Sequence, residues 1–268
     1  MIKQIIEDFD LQQVAASGQC FRMNPIGNDT YAVVAGSSYI EVSQNGSEFI
    51  FYCDEGEFEN IWWEYFDFGQ DYGKMKASVD TTDLYMEEAI KYGAGVRILK
   101  QDLWEIIVTF IISQQNNIPR IKKCVESICT YFGEEKVNFK GETYYTFPSI
   151  KTLAKLPEDG LKACNLGYRS KYILKTARMI YEGEISLDTI RKMDYEMSKS
   201  ELLKLFGVGT KVAECICLYG LYHIEAFPID THVKQILEKH YPDGFPFERY
   251  QGYAGILQQY MFYYKISK

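Results

Sequence analysis

The stretch LLKLFGVGTKVAECICLYG, Leu202 to Gly220, constrains this chain more than any other. It reads as the end of one helix, a four-residue turn, Phe206-Gly207-Val208-Gly209, and a second, apolar helix. The two glycines permit backbone conformations closed to other residues and let another backbone come close, while Val208 between them can anchor the turn in a core. Two helices joined this tightly must pack as neighbours. The free N–H groups at the start of the second helix point outward together, as in nests that hold a phosphate without reading base sequence. Taken alone, a Gly-x-Gly turn is most often an ordinary connector.

Lys211 follows in the first turn of that second helix. A helix start presents positive charge, so a lysine has the wrong sign for the position. An amine acts as a nucleophile only when neutral, and burial or a positive dipole end moves lysine toward that state. Further on stands Phe227-Pro228-Ile229-Asp230-Thr231-His232, with Asp230 nineteen residues after Lys211. Asp230 precedes a helical run, where an aspartate commonly caps, and it could also stabilise a developing cation. A solvated surface lysine and a plain capping aspartate are the alternatives for the two residues taken singly. Together with the turn they suit attack on a sugar carbon of a DNA backbone. Cys215 lies one helical turn after Lys211, so both can face one pocket.

The rest of the chain divides by pattern. Residues 30 to 53 are rich in β-branched and aromatic residues, and Asn45-Gly46 between two such runs is a strong hairpin signal. EFENIWWEYFDF instead places Phe58, Ile61, Trp62, Tyr65 and Phe66 on one helical face. Helices are expected from Thr82 or Asp83 to Gly93, after Asp102, over 118–132 and 169–181, at Pro148-Ser149 and Leu156-Pro157, over 195–205, 211–222 and 231–240, and from about Phe247 to the end. The expected fold is α+β: an N-terminal antiparallel β-sheet subdomain, residues 1–95, then a mostly α-helical region, residues 96–268. In the latter, residues 206–209 form the hairpin turn and 210–222 the helix bearing Lys211.

Composition narrows the setting. The 268 residues are 47% hydrophobic, enough for a sizeable core. Seven scattered cysteines, an odd count with no C-x-x-C pair, argue for free thiols and a reducing compartment. The start, MIKQIIEDFDLQQ, lacks the apolar core of a signal peptide, and the most apolar stretch, LWEIIVTFII, is too short for a membrane span. A cytoplasmic protein is expected, nucleoid-associated if bacterial. The net charge of −8 argues mildly against nucleic acid, although local donors decide phosphate contact. His223, His232 and His240 form no metal-ligand pattern.

The combined features resemble the helix-hairpin-helix DNA glycosylase superfamily and, within it, the 8-oxoguanine DNA glycosylases of the eukaryotic type and their bacterial relatives. GVGTKVAECICL, Gly207 to Leu218, is nearly that family's catalytic signature. SGQCFR, residues 17–22, resembles its N-terminal lesion-contact segment. SQQNNIPRI, residues 113–121, and LGYRSKY, residues 166–172, resemble its DNA-intercalating loops, and YAGILQQYMF, residues 253–262, its base-pocket helix. The blocks occur in the family's order across nearly the whole chain.

The resemblance implies a bifunctional glycosylase and abasic-site lyase acting on double-stranded DNA that contains 8-oxoguanine, without cofactor or metal, and as a monomer. Lys211 would attack the sugar C1′ and form a Schiff base, and Asp230 would stabilise the oxocarbenium-like transition state. Gly18 would accept, through its carbonyl, the N7–H that distinguishes 8-oxoguanine from guanine. Cys215 and Phe262 would sandwich the flipped base and Gln258 would bind its Watson–Crick edge, the stacking and edge contacts that base flipping requires. Tyr168 would wedge into the vacated gap. Gln115, Asn116, Arg120 and Arg169 would meet the unpaired opposite base, His232 a phosphate, and Gly207 and Gly209 the backbone. The family pattern is departed from at Phe206, at Gln115 and at Tyr219. Cys217 is the last cysteine, so the four-cysteine iron–sulfur set of some superfamily members has no counterpart. The alternatives are a glycosylase for other damaged purines and a non-catalytic DNA-binding module built on the hairpin.

Overall fold

The structure, a computed structural model, describes residues 1–268. The chain forms two compact units: the first from residues 1–32, 40–100 and 222–268, the second from residues 33–39 and 101–221.

The first unit carries most of a five-stranded sheet: β1 (Ile2–Ile5), β2 (Met23–Gly27), β3 (Thr30–Ala35), β4 (Ser38–Asn45) and β5 (Glu48–Phe51), in the order β1-β5-β4-β3-β2. The expected hairpin is present, one residue later than Asn45-Gly46 suggests. Asn45 pairs with Glu48, so Gly46 and Ser47 make the turn, with Gly46 at φ +62°. Alternation along β5 buries Phe49 and Phe51. They join Phe9, Phe58, Phe66 and Phe68 in an aromatic core, with centroids 5.0 Å apart for Phe9–Phe49 and 4.9 Å for Phe51–Phe58. The stretch read as one helical face is helical over Glu55–Tyr65, with a π-turn at Phe58–Trp62, and it buries Phe58, Trp62 and Tyr65. The unit closes with helices Leu84–Tyr92, Thr231–His240 and Ala254–Ser267.

Apart from the adjoining ends of β3 and β4 within residues 33–39, the second unit is helical with a small antiparallel ribbon, β6 (Glu135–Val137) with β7 (Thr143–Tyr145). Its centre is the apolar helix Leu103–Ser113, capped by the Asp102 carboxylate accepting from the Glu105 N–H at 3.0 Å. Helix Ile118–Phe132 follows, capped by Asn117, then Arg169–Tyr181, Tyr195–Leu202 and Thr210–Gly220. Phe110 stacks on Tyr219 at 5.3 Å, joining the first and last of these helices.

Four boundaries differ from the sequence reading, the first being the helix from Tyr195, which ends at Leu202 rather than 205. Leu156-Pro157 opens a turn and then a single 3-10 turn, Lys162–Cys164. The helix bearing Lys211 ends at Gly220 rather than 222, because Tyr222 adopts φ +59°, outside the helical region. The last helix starts at Ala254 and not near Phe247, because Gly252 stands at φ +87°. All seven cysteines are buried free thiols, and no helix is long and apolar enough to cross a membrane.

Candidate active site

The hairpin owes its shape to one close approach. Gly207 has φ +87°, and a Cβ there would lie 2.5 Å from the ring of Tyr172. No other residue meets both demands. Gln114, at the end of helix Leu103–Ser113, donates through Nε2 to the Gly207 carbonyl at 2.9 Å. Gly209 differs: its φ is ordinary, it is exposed, and nothing lies within 4 Å of a Cβ placed on it. Packing therefore does not explain this glycine, whereas close passage of a phosphate backbone would. Val208 between them is buried.

Helix Thr210–Gly220 starts on Gly209 without a side-chain cap. Lys211 is half-buried in its first turn, with Nζ 5.3 Å from the centroid of Phe110. Four residues on, Cys215 is buried. The opposite side of the helix is tied to Tyr195–Leu202 by Glu214, which accepts from the Tyr195 hydroxyl at 2.7 Å and pairs with Lys199 at 2.5 Å. Burial works against the Lys199 ammonium, but hydrogen bonding and charge from Glu214 outweigh it and leave its pKa raised.

The loop after helix Leu103–Ser113 exposes Gln115 at φ +48°. Asn116 turns inward, donating to the Ile112 carbonyl at 3.0 Å and accepting from the Asn117 N–H. Arg120 is exposed and touches the Asn165 carbonyl at 3.4 Å. Tyr168 is 45% exposed, its ring 4.6 Å from the Arg169 guanidinium carbon. Arg169 is buried, and its guanidinium donates to the carbonyls of Gln114, Gln115 and Leu166. Three of these bonds tie Arg169 to the loop that carries Gln115 and Asn116.

In the first unit, Asp230 caps helix Thr231–His240, its carboxylate accepting from the Val233 N–H at 2.8 Å. His232 is exposed, and its ring lies edge-on to Phe262 at 6.1 Å. Gln258 is buried. Its Nε2 donates to the Pro228 carbonyl at 3.0 Å, while Oε1 is buried without a partner. An unpaired buried acceptor costs roughly 1–3 kcal/mol, which a ligand donor would recover. Gly18 has φ +76°.

Site reasoning missed three contributors: Gln114 and Tyr172, which shape the hairpin, and Gln259, beside Gln258. Tyr172 and Gln259 stand inside quoted motifs, but their partners are 35 and 242 residues distant. No local pattern signals that.

A sheet-bearing unit and a helical unit with a Gly-Val-Gly hairpin leading into a lysine define a class of DNA repair protein. The chain belongs to the HhH-GPD superfamily of base excision DNA repair proteins, which residues 108–244 match, and residues 1–107 match the 8-oxoguanine DNA glycosylase N-terminal domain. Among curated proteins it is similar to the N-glycosylase/DNA lyase of Saccharomyces cerevisiae, 37% identical over 158 residues, covering 55% of this chain and 42% of that protein. It is also similar to the N-glycosylase/DNA lyase OGG1 of Arabidopsis thaliana, 29% identical over 230 residues, covering 82% and 63%. The chain thus spans about half the length of these relatives. Among solved structures it resembles the 8-oxoguanine glycosylase/lyase of Clostridium acetobutylicum, crystallised with double-stranded DNA containing cytosine opposite 8-oxoguanine. The TM-score is 0.92 at 37% identity, covering 98% of this chain and 93% of that one.

Proposed function

We propose that this chain is a bifunctional DNA glycosylase and abasic-site lyase that excises 8-oxoguanine from duplex DNA. The observation that carries the reading is the hairpin. An open glycine, Gly209, offers backbone N–H groups to a phosphate, and the chain then delivers Lys211, half-buried against Phe110. A binding module needs the first feature only. The second supplies an amine.

The Lys211 amine attacks C1′ of the lesion nucleotide. The glycosidic bond breaks, and the base leaves with its electron pair and takes up a proton. Opening of the sugar gives an imine between Nζ and C1′. Loss of a proton from C2′ then expels the 3′ phosphate by β-elimination. Asp230 stabilises the cationic sugar while capping its helix. Gln258 accepts from the Watson–Crick edge of the flipped base through its unpaired Oε1. The Gly18 carbonyl accepts the N7–H that guanine lacks, and Phe262 and Cys215 give the base its stacking surfaces. Gln115, Asn116 and Arg120 meet the opposite base, Tyr168 fills the gap, His232 contacts phosphate, and Arg169 shapes the opposite-base loop.

Borohydride reduction of the imine during reaction tests this. The expected result is a covalent protein–DNA adduct on duplexes carrying 8-oxoguanine, absent with undamaged guanine and lost in Lys211→Gln. An adduct only on alkylated purines would move the substrate to another damaged base. Full base release by Lys211→Gln would overturn the nucleophile assignment.

A further inference from the structure

Gly18 reads the lesion, on the reading above, through one backbone carbonyl. Glycine at φ +76° reaches this geometry without steric penalty, but it does not hold a peptide still. Something else must fix the orientation, since a hydrogen bond discriminates only when donor and acceptor are aligned.

The residues around Gly18 are pinned on both sides. Upstream, the Ser17 N–H and hydroxyl both donate to the Val14 carbonyl, at 3.2 and 2.8 Å. Downstream, Gln19 donates through Nε2 to the Ser17 hydroxyl at 2.9 Å and to the Arg97 carbonyl at 2.7 Å. Its Oε1 accepts from the Leu99 N–H at 2.8 Å. The Ser17 carbonyl, directly joined to the Gly18 nitrogen, accepts from Gln259 Nε2 at 2.7 Å. Ser17, Gln19 and Gln259 are all buried, so water cannot substitute for these donors.

Gln259 is also the neighbour of Gln258 on helix Ala254–Ser267. One rigid helix therefore holds the unpaired Oε1 of Gln258 and, by the next side chain, the peptide that enters Gly18. A helix transmits position with little slack, so the spacing between the two groups that read adjoining edges of the base is set through Gln259. A neutral donor suits the place, because a buried ammonium or guanidinium would carry an unpaired charge.

We propose that Gln259 is a positioning residue for lesion discrimination, orienting the Gly18 carbonyl through its hydrogen bond to Ser17. The proposal rests on the 8-oxoguanine reading.

Single-turnover strand cleavage on two duplexes tests it, one carrying 8-oxoguanine and one a preformed abasic site. The abasic site has no base to read, so its cleavage reports the fold and Lys211 alone. Gln259→Met keeps the length and removes the donor. Its expected behaviour is abasic-site cleavage within about twofold of wild type, with the 8-oxoguanine to abasic ratio lowered about tenfold, the scale of one lost buried hydrogen bond. Release of undamaged guanine stays as slow as before or rises. An unchanged ratio, or equal loss on both substrates, overturns the proposal and leaves the 8-oxoguanine reading standing. Wild-type protein that cleaves abasic sites but releases no 8-oxoguanine overturns that reading and this inference with it. Should Gln259→Met fail to fold, Gln259→Glu decides. Its protonated acid can donate as the amide does, so the ratio recovers toward wild type as pH falls, and a ratio that stays at the wild-type value at every pH refutes the assignment.

Discussion

In the second unit, the turn at Gly207 and the Lys211 that follows it are close in sequence, and Gln114 and Tyr172 brace the turn from earlier in the chain. In the first unit, the corresponding groups come from three segments far apart in sequence. Gln259 reaches Ser17, Arg97 donates to the carbonyls of Glu7, Asp8 and Asp67, and the Tyr222 hydroxyl donates to Asp67 at 2.5 Å. The difference is one of strategy. The turn at Gly207 is a local backbone conformation that a short motif encodes, whereas the peptide between Ser17 and Gly18 is held by a side chain from a distant part of the chain.

The predictions test that division. The largest expected effect is at Asp230. Asparagine caps a helix about as well as aspartate, so Asp230→Asn should leave the unfolding midpoint nearly unchanged. Loss of its charge should slow base release by about 100-fold or more in single-turnover kinetics, as removal of one transition-state stabiliser does. Near-normal rates would reduce Asp230 to a cap.

Next come the two hairpin glycines. Gly207→Ala forces a methyl into Tyr172 and an L residue into φ +87°, and should destabilise the protein by about 2–4 kcal/mol in urea titration. Gly209→Ala meets only open space, so its stability cost should stay below about 1 kcal/mol. Duplex affinity should nonetheless fall about tenfold, a loss of ~1.4 kcal/mol, as the methyl blocks the phosphate. Equal affinity in the two proteins would remove the argument for a phosphate at Gly209.

The smallest effect belongs to Asp67, where Tyr72 and Tyr222 converge and Lys100 lies 3.5 Å away. Burial holds its carboxyl above the ordinary value, outweighing the tyrosine hydrogen bonds and the Lys100 and Arg97 charges. The folded chain thus binds this proton more tightly than the unfolded chain does. The associated stability is complete below the usual carboxylate range, about pH 4, and is lost as pH rises through the folded value. Across that rise wild type should lose stability relative to Asp67→Asn in paired unfolding curves. A flat or opposite difference would show that the charged partners win.

Much of the hairpin and the strand-to-helix order was legible because short-range rules govern them: glycine at positive φ, a cap before an apolar run, period two against period 3.6. The start of the last helix was misjudged because Phe247 to Tyr253 carry aromatic residues at helix-compatible spacing, and only Gly252 at φ +87° shows the break. The motif containing Arg169 does not disclose that its guanidinium bonds the carbonyls of Gln115 and Leu166.

The sequence by itself determined the class of fold and the hairpin, because residue type and local spacing suffice for those. Only the tertiary structure decided that residues 222–268 pack with the first hundred, that Gln258 keeps one acceptor unpaired, and that Gln259 holds Ser17 from 242 positions away. Which distant backbone group a buried amide finds is settled by burial, which leaves no water to bond instead, and no local pattern records that choice.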